Sequence, residues 1–325
     1  MRPTAWTWIK HVLLMLATFC TSTVAGVLYP FGTSNNSIPG DPRTAGEILT
    51  FFAILPTKYV ILIIDTVRDL FTEPGLLIYG LEFSGSLLFI LISHEMGHYV
   101  MCRLYKVDAT LPYFIPTPPM IGPAGTFGAF IKILSPMPSR RAVFDIGVAG
   151  PIAGFVALIP VALIGLATMQ IASPEQIAHS TGGLVFSDPL LFKGLAYGFG
   201  IDLTYGIGNA FYFAAWVGLL VTALNLIPSG QLDGGHAIYA ALGEKVHYWT
   251  GRIAFVLMAV FSILGMLFYS SPSGFLFAIV LAIMMRIKHP QPADQTQLDT
   301  KRKVIALLTL LIFVLCFVPF PIQIT

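Results

Sequence analysis

Charged side chains are scarce. Only 10% of the 325 residues are Asp, Glu, Lys or Arg, against about 25% in an ordinary soluble domain. A fully solvated globular surface is therefore excluded. The 18 basic residues nearly balance the 16 acidic ones, leaving a formal charge of +2. No basic block interleaved with aromatics occurs, so the chain has no electrostatic footprint for a nucleic-acid partner. Cysteine is nearly absent: Cys20, Cys102 and Cys316 lie far apart without CxxC spacing, which excludes both a disulfide framework and a cysteine metal site. Internal repeats and low-complexity tails are also missing. What remains is apolar, with 56% hydrophobic residues and a mean hydropathy of +0.80. This is the composition of an integral, multi-pass membrane protein in a lipid bilayer.

A helix needs about 20 apolar residues to span hydrocarbon. The sequence predicts an all-α polytopic fold with about seven such helices: Trp8 to Leu28, Leu77 to Cys102, Val143 to Met169, Asn209 to Leu226, Ile253 to Tyr269, the short Gly274 to Met285, and Val304 to Phe320. The first resembles a signal sequence behind Arg2 and Lys10, but its long apolar run favours an uncleaved anchor. Ile48 to Leu70 is apolar yet interrupted by Pro56, Lys58, Asp65, Arg68 and Asp69, so an interfacial or re-entrant helix is expected. Three parts follow: residues 1–75 as anchor and interfacial segment, 76–243 as membrane core, and 244–325 as C-terminal helices. The polar loop Lys288 to Lys303 reads as a solvated linker.

Charge sets the orientation. Arg103, Lys106, Lys132, Arg140 and Arg141 face only Asp108 in their loop, whereas the Ile171 to Ile207 loop carries Glu175, Asp188 and Asp202 against Lys193. Under the positive-inside rule the first loop is cytoplasmic and the second external. Seven crossings, with the N-terminus inside, satisfy every positive cluster. A bacterial inner membrane fits this reading.

Within the second span, "LLFILISHEMGHYV" (Leu87 to Val100) carries His94, Glu95 and His98. Ionisable groups near a bilayer centre cost about 2.5 kcal/mol or more on insertion scales, so three within five residues require partners or function. On a helix, residues four apart lie about 6 Å apart along the axis on nearly one face. His94 and His98 can therefore bind one metal ion, with Glu95 beside it to take a proton from the attacking water. Zinc suits imidazole and carboxylate ligands. A catalytic zinc takes three protein ligands and leaves a fourth position open. "NLIPSGQLDGGH" (Asn225 to His236) offers the third: the fourth span breaks at Pro228 and Gly230, and Asp233 follows with Gly234 and Gly235 behind it. Irregular backbone at membrane depth is tolerated where it lines a cavity. Asn225 has an amide able to donate to a developing oxyanion. His236 is a lesser candidate, as ligand or support.

"SHEMGHY", "GVAGPIAGF" (Gly147 to Phe155) and "NLIPSGQLDGG", in this order, resemble the site-2 protease family of zinc intramembrane metalloproteases, and the similarity covers Gly75 to Gly243. It implies one catalytic Zn2+ held by His94, His98 and Asp233, with Glu95 as base and Asn225 as the motif asparagine. It also implies a membrane-protein substrate with a transmembrane helix, cleaved at a site toward the cytoplasmic side. No segment is large enough for an inserted PDZ domain, which places the resemblance in the shorter branch of that family. A small membrane-associated β segment is expected near residues 110–135. Five prolines before Gly125 exclude a regular helix there, and Gly125, Thr126, Phe127, Gly128, Ala129 and Phe130 have strand composition. An unpaired edge there would hold an unwound substrate; a re-entrant plug is the alternative. The competing functions are a metal transporter or sensor built on the same ligands, and a non-catalytic membrane adaptor.

Overall fold

A computed structural model describes residues 4–34, 36, 44–173, 183–287 and 289–324. Arg2, Glu175 and Lys288, named above, lie outside the described residues. The helices are α1 (Ala5–Val27), α2 (Ala45–Thr72), α3 (Pro74–Leu104), α4 (Arg140–Ala167), α5 (Leu190–Phe199), α6 (Ala210–Leu226), α7 (Asp233–Leu242), α8 (Glu244–Phe268), α9 (Ser273–Met284) and α10 (Thr300–Cys316). Each expected span coincides with one of them, and the chain is a mostly helical, multi-pass membrane protein. α1, α2, α3, α4 and α8 are each long and apolar enough to cross a membrane; α6 and α9 are shorter apolar helices.

α2 narrows the expectation of an interfacial or re-entrant helix. It opens with a capping box, in which Thr44 accepts from the Glu47 N–H and Glu47 reaches back to Thr44, and it runs unbroken for 28 residues through Pro56. A re-entrant turn is therefore excluded. The interruptions read from sequence are absorbed locally: Lys58 sits over the Phe51 ring and Asp69 accepts from the Asn36 side chain. The helix buries only Leu62, Thr66 and Leu70, leaving Leu49, Phe52 and Phe71 outward.

α3, α4 and α6 form the centre, around Phe83, Leu87, Leu158, Trp216 and Leu219. Lipid tails are as apolar as leucine, so packing in a bilayer relies on close approach through small residues. Gly97 shows this: a Cβ there would lie 2.4 Å from the Ala149 carbonyl of α4. The approach brings the His94 to His98 turn of α3 against α4.

Between α3 and α4, β1 (Tyr113–Pro116) pairs antiparallel with β2 (Thr126–Phe130), in the register Tyr113↔Phe130 and Phe114↔Ala129, with an irregularity before Pro116. A bridge between Ala109 and Ile133 extends the ribbon. Its turn rests on α1, where Thr21 Oγ1 donates to the Gly125 carbonyl at 2.7 Å and His11 Nδ1 donates to the Pro112 carbonyl at 2.8 Å. Among the described residues β2 has no strand on its other edge. Away from this ribbon, β3 (Gln170–Ile171) pairs with β5 (Gly206–Ile207), and β4 (Leu184–Phe186) with β6 (Ile322–Ile324).

The segment from 289 to 299 is a second correction, because it is docked rather than a solvated linker. Ala293 and Asp294 donate backbone N–H groups to Met137 and Pro138, and Asp294 accepts from the Arg140 N–H. Leu298 is buried against Val143 and Tyr239. Main-chain bonds hold this strap, which is why its polar side chains gave no sign of it.

Candidate metal centre and its cavity

His94 and His98 project from α3 toward the first residue of α7, Asp233. The Nε2 atoms of His94 and His98 lie 3.1 Å apart. Asp233 Oδ2 is 3.2 Å from the first and 3.4 Å from the second. Two ligand atoms bound at about 2.0–2.1 Å to a tetrahedral ion stand about 3.3 Å apart. The three donors thus form one face of a tetrahedron of zinc dimensions, and they are a metal-capable cluster among the described residues.

The surrounding chain explains that geometry. His98 Nδ1 donates to the Ile146 carbonyl of α4 at 2.7 Å, so its Nε2 lone pair faces Asp233; a backing acceptor of this kind commonly orients a metal-binding imidazole. The glycines of "GVAGPIAGF" clear space for the histidines. A Cβ at Gly150 would sit 2.1 Å from His98 Nε2, one at Gly154 would sit 3.1 Å from His94 Cβ, and one at Gly147 would sit 2.8 Å from His236 Cβ. The LDGG turn has the same logic. A Cβ at Gly234 would lie 2.0 Å from the Leu226 carbonyl, and one at Gly235 2.5 Å from the Gly230 carbonyl. The first turn of α7 can fold back on the end of α6 only without side chains at those two positions, and that fold-back presents Asp233.

Glu95 is buried beside the cluster, with the Ile131 backbone N–H facing its carboxylate. Asn225 Nδ2 is 3.4 Å from His94 Nε2. These groups line a cavity of about 580 Å³ that also takes in Ala129 to Ile133, Met137, His236 and Pro290. Of the expected strand residues, Ala129 and Phe130 reach the cavity, whereas Gly125, Thr126, Phe127 and Gly128 do not. Gly125 abuts α1, where a Cβ would lie 2.4 Å from the Thr21 carbonyl. Thr126 Oγ1 is bonded within the ribbon to the Ile115 carbonyl, and Phe127 is 62% exposed. The ribbon meets the cavity at its far end, through Ala129 and Phe130. Ile131, Lys132 and Ile133 continue that run along the cavity, and nothing in strand composition says which end approaches the metal cluster. Pro290 was missed with the strap.

Comparison with known proteins agrees with this picture. The family model described as Peptidase family M50 matches residues 82–268, more than half of the chain. "Probable zinc metalloprotease EGY1, chloroplastic" of Arabidopsis thaliana is 28% identical over 97% of this chain and 54% of its own length. The protein of the same description from Oryza sativa subsp. japonica is 27% identical over 97% of this chain and 51% of its own. "Probable zinc metalloprotease EGY2, chloroplastic" of Arabidopsis thaliana is 27% identical over 71% of this chain and 40% of its own. The chain thus spans about half the length, or less, of these curated relatives.

Proposed function

The chain belongs to peptidase family M50, and from that premise we propose that it is a zinc-dependent intramembrane endopeptidase that cleaves transmembrane segments of membrane-protein substrates. The observation that carries this reading is the donor triangle of His94, His98 and Asp233 at zinc spacing, with Glu95 buried beside it in an apolar helix bundle. A zinc ion bound there supplies a Lewis acid and a water of lowered pKa. Glu95 accepts the proton of the attacking water and passes it to the leaving amine. The Asn225 amide donates to the oxygen on which charge develops. Substrate lies extended along Ala129 to Ile133, since a peptide bond inside a helix has both polar groups engaged and is shielded from attack. We assign the reaction to residues 76–243, flanked by 1–75 and 244–325, with the strap from the last part forming one wall. We place the site toward the side of the membrane that carries the positive loops. The relatives are named as chloroplastic proteins, and the expectation of a bacterial inner membrane has no support in them.

Purified full-length protein, mixed with a panel of single-span substrates with and without chelator, tests the proposal. Cleavage should require metal and vanish in Glu95→Gln, which keeps the size of the side chain and removes the base. A transporter or sensor built on the same ligands would keep its function in that variant, and unchanged cleavage would reject the mechanism.

A further inference from the structure

A second group of imidazoles stands next to the metal centre. His236 lies one turn after Asp233 on α7, His289 comes from the strap, and His247 comes from the first turns of α8. Their hydrogen bonds fix the protons in sequence. His289 Nδ1 is 2.8 Å from the Pro290 carbonyl, and a carbonyl only accepts, so this nitrogen carries hydrogen. A neutral imidazole with hydrogen on Nδ1 has a lone pair on Nε2. That atom lies 2.7 Å from His236 Nδ1, which must therefore donate. His236 Nε2 is then left as a bare acceptor on the other edge of its ring. Burial disfavours charge on both rings and takes His289 down to about 3. Tyr239 stacks flat on His289, with centroids 3.9 Å apart and planes at 11°. His247 donates separately, from Nε2 to the Gly230 carbonyl at 2.9 Å, and packs edge-on against His289.

His236 lines the catalytic cavity. Its Nε2 has no hydrogen-bond partner among the described residues and is not among the sealed, unpaired polar atoms. A peptide laid along a strand edge satisfies alternate backbone groups with that edge and turns the others away from it. Inside an apolar bundle those outward N–H groups need acceptors. We propose that His236 Nε2 accepts a backbone N–H of the substrate, and that His289 is the positioning residue that holds His236 in the tautomer able to do so.

This rests on the protease reading, and its test separates the two. In full-length protein carrying 15N-histidine, long-range 1H–15N spectra should show His236 protonated on Nδ1 in the wild type. The same should hold in His289→Gln, whose side-chain oxygen still accepts, whereas His289→Leu should lose that preference. A wild-type His236 protonated on Nε2 overturns the proposal whether or not any substrate is cleaved. The second arm uses substrates in which single backbone N–H groups near the cleaved bond are replaced by ester oxygen. At one position the replacement should raise KM about tenfold in wild type and leave His236→Leu unchanged, with zinc content equal in both. His289→Gln should follow the wild type and His289→Leu should follow His236→Leu. Equal losses at every position in wild type and His236→Leu would overturn the substrate contact. Cleavage that ignores chelator or survives Glu95→Gln would instead overturn the protease reading.

Discussion

The two histidine groups of this chain use the same device for different ends. His98 gives its Nδ1 hydrogen to the Ile146 carbonyl, and His289 gives its own to the Pro290 carbonyl. In each ring the carbonyl decides which nitrogen is free. What that free nitrogen faces then decides the chemistry. His98 Nε2 meets the Asp233 carboxylate and His94, making a face of three potential metal-ligand atoms. His289 Nε2 meets a ring nitrogen that carries hydrogen, making a chain that ends in the cavity. In the roles proposed above, one group holds a cation and the other hands an acceptor to a peptide. α4 serves both, with glycines one turn apart.

Breaking the first group alone should have the largest effect. Gly150→Ala drives a methyl into His98 Nε2 at 2.1 Å. Losing a partner that only orients a ligand already costs about 10–100-fold in metal affinity, so direct displacement should cost at least about 100-fold. Zinc content by mass spectrometry and cleavage should fall together. Glu95→Gln should sharpen the comparison by separating these readouts. Turnover should drop about 10²- to 10⁴-fold, the usual contribution of a general base, while zinc content stays at wild-type level. A loss of zinc in that variant would mean that Glu95 is part of the metal site.

Gly147→Ala is the counterpart for the second group. Its methyl would meet His236 Cβ at 2.8 Å, one turn of α4 away from Gly150. It should leave zinc bound and raise KM by roughly tenfold, equivalent to about 1.4 kcal/mol of lost substrate contact. If zinc is lost as completely as in Gly150→Ala, the two groups are one structural unit and the distinction drawn between them fails.

The first group was legible in the sequence and the second was not, for a physical reason. His94, Glu95 and His98 interact through the local geometry of one helix, which spacing reports directly. Asp233 was legible because Pro228 and the paired glycines break a span where a broken span has to line something. The roles of Gly150 and Gly154 depend on where α3 crosses α4, and that of Gly147 on where α7 packs against α4, which no local pattern encodes. His289 depends on a strap fastened by backbone groups of Ala293 and Asp294, and every sequence has such groups. For α2, Pro56 and the charges after it look like interruptions in the sequence, yet the helix runs continuously through them, which leaves the interfacial half of the expectation and removes the re-entrant one. The β ribbon was read correctly from its prolines and β-branched residues, but its orientation toward the metal cluster is a tertiary fact.

The smallest expected effect comes from loosening the strap without touching either group. Arg140 Nε and Nη2 donate to the Ala240 carbonyl at 3.1 and 2.8 Å, and Nη1 donates to the Gln295 carbonyl at 3.4 Å. Arg140→Ala removes all three, but the backbone bonds to Met137, Pro138 and Arg140 itself remain, as does buried Leu298. Arg140 is half-exposed, and water replaces its contacts in part, so the net cost should be about 1 kcal/mol. That corresponds to roughly a fivefold loss of amide hydrogen-exchange protection at Ala293 and Asp294. His289 should then hold His236 less well, and KM should rise about two- to threefold with zinc content unchanged. If protection falls and KM does not move, the strap is a structural clasp and His289 owes its position to its ring contacts with Tyr239 and His247.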